Sequence, residues 1–222
     1  MKAYPGLFIS FEGTEGSGKS TQMRLLVNRL RSEGLTVTEN QEPGATRIGK
    51  QIRRILLDPV HHEMASMTEL LLMFASRTQA ANEIIIPALT RGEIVVSDRF
   101  TDSTLAYQGE ARGLGFETVL AAHRLALGSL APDLTICLTI DLEKGLARAD
   151  SRNQWSGDDA NEARIDLQSL NFHRRVSEGY RKIAQLEPRR FRFVDGEGDR
   201  DMIAERVWTE VSQFVPARSQ TK

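Results

Sequence analysis

Near the amino terminus, Gly13-Thr14-Glu15-Gly16-Ser17-Gly18-Lys19-Ser20 satisfies the spacing G-x-x-x-x-G-K-[ST]. The glycines let the backbone curl so that successive N–H groups face one hollow, and a helix beginning near Lys19 adds its positive dipole end. The chemistry this suits is the holding of a triphosphate. Lys19 is spaced to reach the β- and γ-phosphates and the Ser20 hydroxyl to ligate a Mg²⁺ shared with them, with Thr21 next on the same turn. By itself the pattern does not separate a kinase from a GTPase or a motor.

A second constellation runs from Val95 through Ser97-Asp98-Arg99-Phe100 to Ser103-Thr104 and Ala106-Tyr107-Gln108. It begins as a buried strand and emerges as an Asp-Arg pair. At the carboxyl end of a strand, Asp98 is placed to approach the Mg²⁺ shell through water, while Arg99 offers a planar fork to a phosphate. The alternative for this pair is a salt bridge with a structural purpose only.

The elements that must position these groups alternate along the chain. Leu7 to Phe11 reads as a strand, and Met23, Leu26, Val27 and Leu30 recur at helical spacing up to Gly34. Leu35 to Glu39 reads as a second strand, Glu42-Pro43-Gly44 as a turn and Arg47 to Leu57 as a helix. Glu69 to Ala88 predicts a long helix ended by Pro87, its first half, Leu70 to Phe74, buried on more than one side. Ile94 to Ser97 and the apolar residues of Leu134 to Leu142 suit central strands. Glycines 109, 113 and 115 interrupt a helical stretch that Val119 to Leu130 resumes, and Glu143 to Asp150 starts another helix. The polar run Ser151 to Asn161 is a candidate flap; Ile165 to Leu186 is helical, Phe191 to Val194 is a last strand, and Ile203, Val207, Val211 and Phe214 line a closing helix. Strands alternating with helices, without repeat or linker, predict an α/β fold: a five-stranded parallel sheet with helices on both faces and ligands at the carboxyl ends of the strands. Residues 1–216 read as a single domain and 217–222 as a frayed tail.

Taken together these segments resemble the thymidylate kinase family of nucleoside monophosphate kinases. The resemblance rests on Val96 to Gln108, on the form Phe-Glu-Gly-x-Glu-Gly-x-Gly-Lys-Ser from Phe11 to Ser20, and on Glu42-Pro43-Gly44. It covers about residues 7 to 195. It implies a P-loop NTPase fold, phosphorylation of dTMP to dTDP with ATP as donor and Mg²⁺, a homodimer, and a lid at about residues 148–164. It further implies that Gly13 to Thr21 hold ATP and that Glu15 reaches the acceptor sugar near its 3′-hydroxyl. Arg99 would hold the acceptor phosphate, Arg77 would hydrogen-bond the base, and Pro43, Ser103, Thr104 and Gln108 would line the same pocket. Tyr107 would pack on the deoxyribose, leaving no room for a 2′-hydroxyl.

Three positions differ from the family pattern. Met73 stands where an aromatic residue usually stacks on the base, which assigns stacking to Phe74. Gln41 replaces an arginine before Glu-Pro-Gly, with Arg47 as a substitute, and the segment Asp150 to Arg164 is longer than a compact lid. The phosphate loop contains no arginine, so the resemblance assigns the arginine on the transferring group to the lid: Arg152 first, then Arg148, with Arg164 behind them.

The remaining composition bounds the alternatives. Twenty-nine Lys and Arg against thirty Asp and Glu give a net charge of −1, so no global field holds the chain on nucleic acid or an anionic membrane. The basic residues between Arg174 and Arg192 are interleaved with Glu178 and Glu187, which reads as a solvated face. One cysteine, Cys137, excludes an intrachain disulfide framework, and with no apolar run of membrane-spanning length the expectation is a cytoplasmic protein without membrane or nucleic-acid partners. A phosphate monoester, with a second pKa near 6, is already largely dianionic at pH 7, so no general base is required of His61, His62, His123 or His173. The rival readings are a small-molecule kinase with another acceptor and a slowly hydrolysing nucleotide switch.

Overall fold

A computed structural model describes residues 4–155, 164–165 and 167–215, apart from the side chains of 150 and 152–155. Strands β1 (Leu7–Gly13), β2 (Val37–Gln41), β3 (Ile94–Asp98), β4 (Leu134–Thr139) and β5 (Phe191–Asp195) form one parallel sheet in the order β2-β3-β1-β4-β5. The helices are α1 (Lys19–Ser32), α2 (Arg47–Leu57), α3 (Ser66–Ala80), α4 (Ile86–Thr90), α5 (Thr101–Thr104), α6 (Phe116–Leu127), α7 (Leu142–Trp155), α8 (Leu170–Leu186) and α9 (Arg200–Val211).

β1 is central and buried on both faces, one of them wholly apolar. Its alternating residues Leu7, Ile9 and Phe11 pack with Met23, Leu26, Val27 and Leu30 of α1 and with Ile203, Val207 and Val211 of α9. Phe8 points the other way, into a cluster with Ala81, Ile85, Ala88, Leu89 and Phe100. The same alternation turns Ser10 and Glu12 toward the side covered by α5 and α8, so a carboxylate enters the core. In register, Phe11 of β1 lies opposite Asp98 of β3, which brings the phosphate loop and the Asp-Arg pair together at the carboxyl ends of two adjacent strands.

Several boundaries differ from the sequence reading. Pro87 does not end its helix: α3 starts at Ser66, a π turn at Ala81–Ile85 follows it, and α4 carries Pro87 near its start. The wider turn accommodates a ring that lacks an N–H and crowds the preceding carbonyl. Leu70, Met73 and Phe74 are buried but Leu71 is 58% exposed, so the first half of α3 is not covered all round. β4 stops at Thr139, and Leu142 already opens α7, which runs through Ser151 to Trp155 where a flap was expected. Residues 156–163, the rest of the expected lid, and the tail from 216 lie outside the described residues. Ile165 lies in a turn, and α8 begins after Ser169, whose hydroxyl accepts from Phe172 N–H at 3.3 Å.

The phosphate loop is braced by backbone contact with α7. Gly16 has φ +68°, and a Cβ on it would lie 1.9 Å from the Gly145 carbonyl oxygen; a Cβ on Gly145 would lie 2.7 Å from the Glu15 carbonyl oxygen. Two glycines therefore permit an approach that side chains forbid. Gly145→Ala is expected to cost about 1–3 kcal/mol of stability and to raise KM for the nucleoside triphosphate. Urea unfolding and steady-state kinetics read both; an unchanged enzyme would show that the contact does not shape the loop.

Candidate active site

β1 delivers the chain at Gly13 into the loop, and Lys19 folds its side chain back over it. Its ammonium donates to the carbonyls of Gly13 at 3.0 Å and Thr14 at 2.8 Å, and Ser17 Oγ donates to Thr14 O at 2.8 Å. Lys19 is buried. Burial, with Arg99 nearby, brings its pKa down to about 8. Ser20 Oγ donates to Asp98 Oδ2 at 3.0 Å, joining the two hard-oxygen groups expected at a Mg²⁺.

Arg99 leaves β3 with φ +71°, the left-handed region, and its N–H donates to Phe11 O at 2.9 Å. It is the non-glycine residue of positive φ among the described residues, a conformation held by its surroundings. Its guanidinium donates to Ser103 Oγ at 2.9 Å and to Glu15 Oε1 at 3.1 Å, and lies 5.0 Å over the Tyr107 ring. Tyr107 donates its hydroxyl to the same Glu15 oxygen at 2.6 Å, and His173 Nδ1 lies 3.3 Å from Glu15 Oε2. Burial pushes the Glu15 carboxyl up, but His173, the charges of Arg99 and Lys19, and Tyr107 together hold it well below the usual carboxylate range.

Beneath Arg99 lies Glu12, fully buried. Its Oε1 accepts from Ser10 Oγ at 2.7 Å and Phe100 N–H at 2.8 Å, and its Oε2 accepts from Ser103 and from Tyr180 at 3.1 Å. Ser103 and Tyr180 are also partners of Arg99, so Glu12 fixes the bed on which the guanidinium rests. Burial and then the charge of Asp102 raise its pKa to about 7.

On the far side, Arg77 of α3 donates Nε to Glu42, Nη1 to Thr104 Oγ1 at 2.9 Å and Nη2 to Phe100 O at 3.1 Å. Gln108 donates to Glu69 Oε1 at 2.8 Å.

A cavity of about 570 Å³ collects these groups: Glu15 to Thr21, Pro43, Arg77, Asp98, Arg99, Ser103, Thr104, Tyr107 and Gln108 all line it. Gly13 and Thr14 lie behind the wall, where their carbonyls hold Lys19. Phe74 is not on the cavity; Met73 is, and Phe74 turns into the apolar core with Arg77 5.1 Å over its ring. One residue along a helix is a rotation of about 100°, and the face that closes the core claims Phe74. Arg148 lines the cavity, whereas the Arg152 side chain lies outside the described residues. Arg164 does not stand behind a lid arginine: it is buried, donating to Leu56 O and to Glu69 Oε2. Arg47 is exposed, and Gln41 and Arg53 line the wall instead. The sequence reading missed Glu12, Glu69 and Tyr180, and it set aside His173. A lone carboxylate on a mostly apolar strand was the available sign for Glu12.

A triphosphate cradle and an arginine-floored hollow opening on one cavity define a P-loop phosphotransferase with two phosphorylated substrates. The thymidylate kinase family model matches residues 11–207. A thymidylate kinase of Pelobacter propionicus is 47% identical over 208 residues, covering 94% of each chain, and one of Bacillus velezensis is 44% identical over 89% of this chain and 91% of its own. The solved thymidylate kinase of Ehrlichia chaffeensis superposes with a TM-score of 0.74 at 29% identity, over 93% of this chain and 98% of its own. The chain belongs to the thymidylate kinase family.

Glu12 generates a pH prediction. Its folded pKa of about 7 lies above the ordinary 4.5, so its contribution to stability is fully present below 4.5 and is lost as pH rises through about 7. Glu12→Gln keeps the size and removes the titration. The stability of the wild type relative to this variant should fall by on the order of 3 kcal/mol across that window, read by urea unfolding at a series of pH values; a constant difference would refute the assignment.

Proposed function

We propose that the protein transfers the γ-phosphoryl group of ATP to dTMP, giving ADP and dTDP, with the two nucleotides end to end in one cavity. The observation that carries this reading is that Lys19 and Arg99 line the same cavity, with Glu15 of the phosphate loop ion-paired to Arg99 at 3.1 Å. The loop N–H groups and Lys19 hold the ATP phosphates, Lys19 exchanging the Gly13 and Thr14 carbonyls for phosphate oxygens. Ser20 and Asp98 are hard oxygen donors that suit Mg²⁺, which when bound supplies charge neutralisation to the phosphates. Arg99 holds the dTMP phosphate and Glu15 takes the sugar 3′-hydroxyl. Tyr107 packs where a 2′-hydroxyl would lie. Arg77, Ser103, Thr104 and Gln108 face the base, with Met73 and Pro43 as apolar wall.

About six negative charges meet in this cavity, and the transition state is loose, so alignment and cationic stabilisation supply the acceleration. The dianionic acceptor needs no base. Arg148 is the described arginine within reach of the transferring group from the lid side, and Arg152 one turn further along α7 is the second candidate. On this reading the enzyme works in the cytoplasm. It works there as a homodimer: Met67 and Leu71 on α3 and Ile48 and Ile55 on α2 are exposed apolar residues of the kind a second subunit covers. No helix among the described residues is long and apolar enough to cross a membrane.

ADP release coupled to NADH oxidation, with dTMP, dUMP, dGMP and AMP as acceptors, tests the reading. The largest stimulation should come from dTMP, and release that no acceptor stimulates would exclude a kinase. Arg99→Ala should lower kcat/KM for dTMP roughly 10- to 100-fold, the worth of a charged hydrogen bond, while KM for ATP stays within about threefold. Equal losses for both substrates would remove the role given to Arg99.

A further inference from the structure

Glu69 lies on α3 one helical turn before Met73 and is buried, yet it does not line the cavity. Four donors converge on it. Gln108 Nε2 donates to Oε1 at 2.8 Å; Arg112 donates Nε to Oε1 and Nη2 to Oε2, each at 3.1 Å; and Arg164 donates Nη2 to Oε2 at 2.6 Å. Arg112 is itself held by Gln168 Oε1 at 2.9 Å and lies 4.6 Å over the Phe172 ring, and Arg164 is held by Leu56 O. Burial alone would raise the carboxyl of Glu69, but the bonds from Arg112 and Gln108 and the two guanidinium charges bring it below its ordinary value. It is therefore ionised at neutral pH, and an ionised carboxylate only accepts.

That fact orients a neighbour. The Gln108 carboxamide must turn its NH₂ to Glu69, and among the described residues its Oε1 accepts no hydrogen bond, while the residue lines the cavity. We propose that Glu69 is a positioning residue for base selection: by holding the NH₂ of Gln108, it presents the carbonyl oxygen to the acceptor base and so selects a base edge that carries an N–H. The imide N3–H of thymine or uracil meets that oxygen. The unprotonated N3 of cytosine opposes it, lone pair to lone pair. A site that leaves a buried acceptor unpaired discriminates strongly against the wrong ligand. The proposal rests on the reading of dTMP as acceptor and adds the residue that sets the polarity of the base contact.

Glu69→Gln replaces the acceptor-only group with one that both donates and accepts, so Gln108 is free to turn over. The expected result is a fall of roughly tenfold in the ratio of kcat/KM for dTMP over dCMP, carried mainly by a higher KM for dTMP. Glu69→Asp, still an acceptor-only group, should keep the ratio even if the protein is less stable. A purely structural role would lower stability in both variants and leave the ratio unmoved, which would overturn the proposal. Should Glu69→Gln fail to fold, a crystal structure of the wild type with dTMP decides. Thymine N3 within hydrogen-bond distance of the Gln108 atom turned away from Glu69 supports the proposal; a thymine carbonyl oxygen in contact with the Gln108 nitrogen overturns it. If the wild type does not phosphorylate dTMP, the functional reading fails first; if it does so with high selectivity and the ratio ignores Glu69, only this proposal fails.

Discussion

The Glu15–Arg99 ion pair joins the two halves of the site, and the rest of the structure is arranged around the problem that pair solves. Arginines meant for anionic substrates must stand in a poorly solvated cavity before those anions arrive. An unpaired buried charge there would be costly, and Arg99 has Glu15 as its standing partner; Arg77, on the base side of the cavity, is paired with Glu42 in the same way, and behind the cavity wall Arg112 and Arg164 share Glu69. The contacts also orient the cations: Arg112 meets Glu69 through two parallel bonds that fix its plane, and Arg99 and Arg77 are fixed by further acceptors, Ser103 for one and Thr104 and the Phe100 carbonyl for the other.

The fold supplies these partners from separate elements. Glu12 and Glu15 come from the end of β1 and its loop, Glu42 from the turn after β2 and Glu69 from α3. Their arginines come from the residue after β3, from α3, from the segment between α5 and α6 and from the turn at residues 164–165. Packing therefore sets the electrostatics: a shift of α3 would disturb Arg77, Glu69 and Met73 together. The close approach of Gly16 and Gly145 ties the phosphate loop to α7, so the loop and the helix that carries Arg148 share a backbone contact.

Much of this was legible in the sequence wherever the chemistry is local. The phosphate loop is written in eight consecutive residues, and β1 and α1 flank it as the apolar pattern requires. The parallel sheet follows from strand-helix alternation. What was not legible depends on distant partners or on rotation. Glu12 meets Tyr180 across 168 residues, and Glu69 meets Arg164 across 95, separations at which one sequence carries no pairing signal. Phe74 and Met73 differ by one residue, and only the packed core decides which faces the cavity. Pro87 was read as a stop because local rules price its missing N–H, whereas a π turn absorbed it.

The central claim is that one crevice holds both nucleotides with their phosphates facing. Calorimetry with a single molecule in which adenosine and thymidine are joined through five phosphates tests it most directly. The account predicts one molecule bound per chain, more tightly than either nucleotide alone, with ATP and dTMP each displaced. Binding that displaces only one of the two, or that leaves a second nucleotide free to bind beside it, would contradict it.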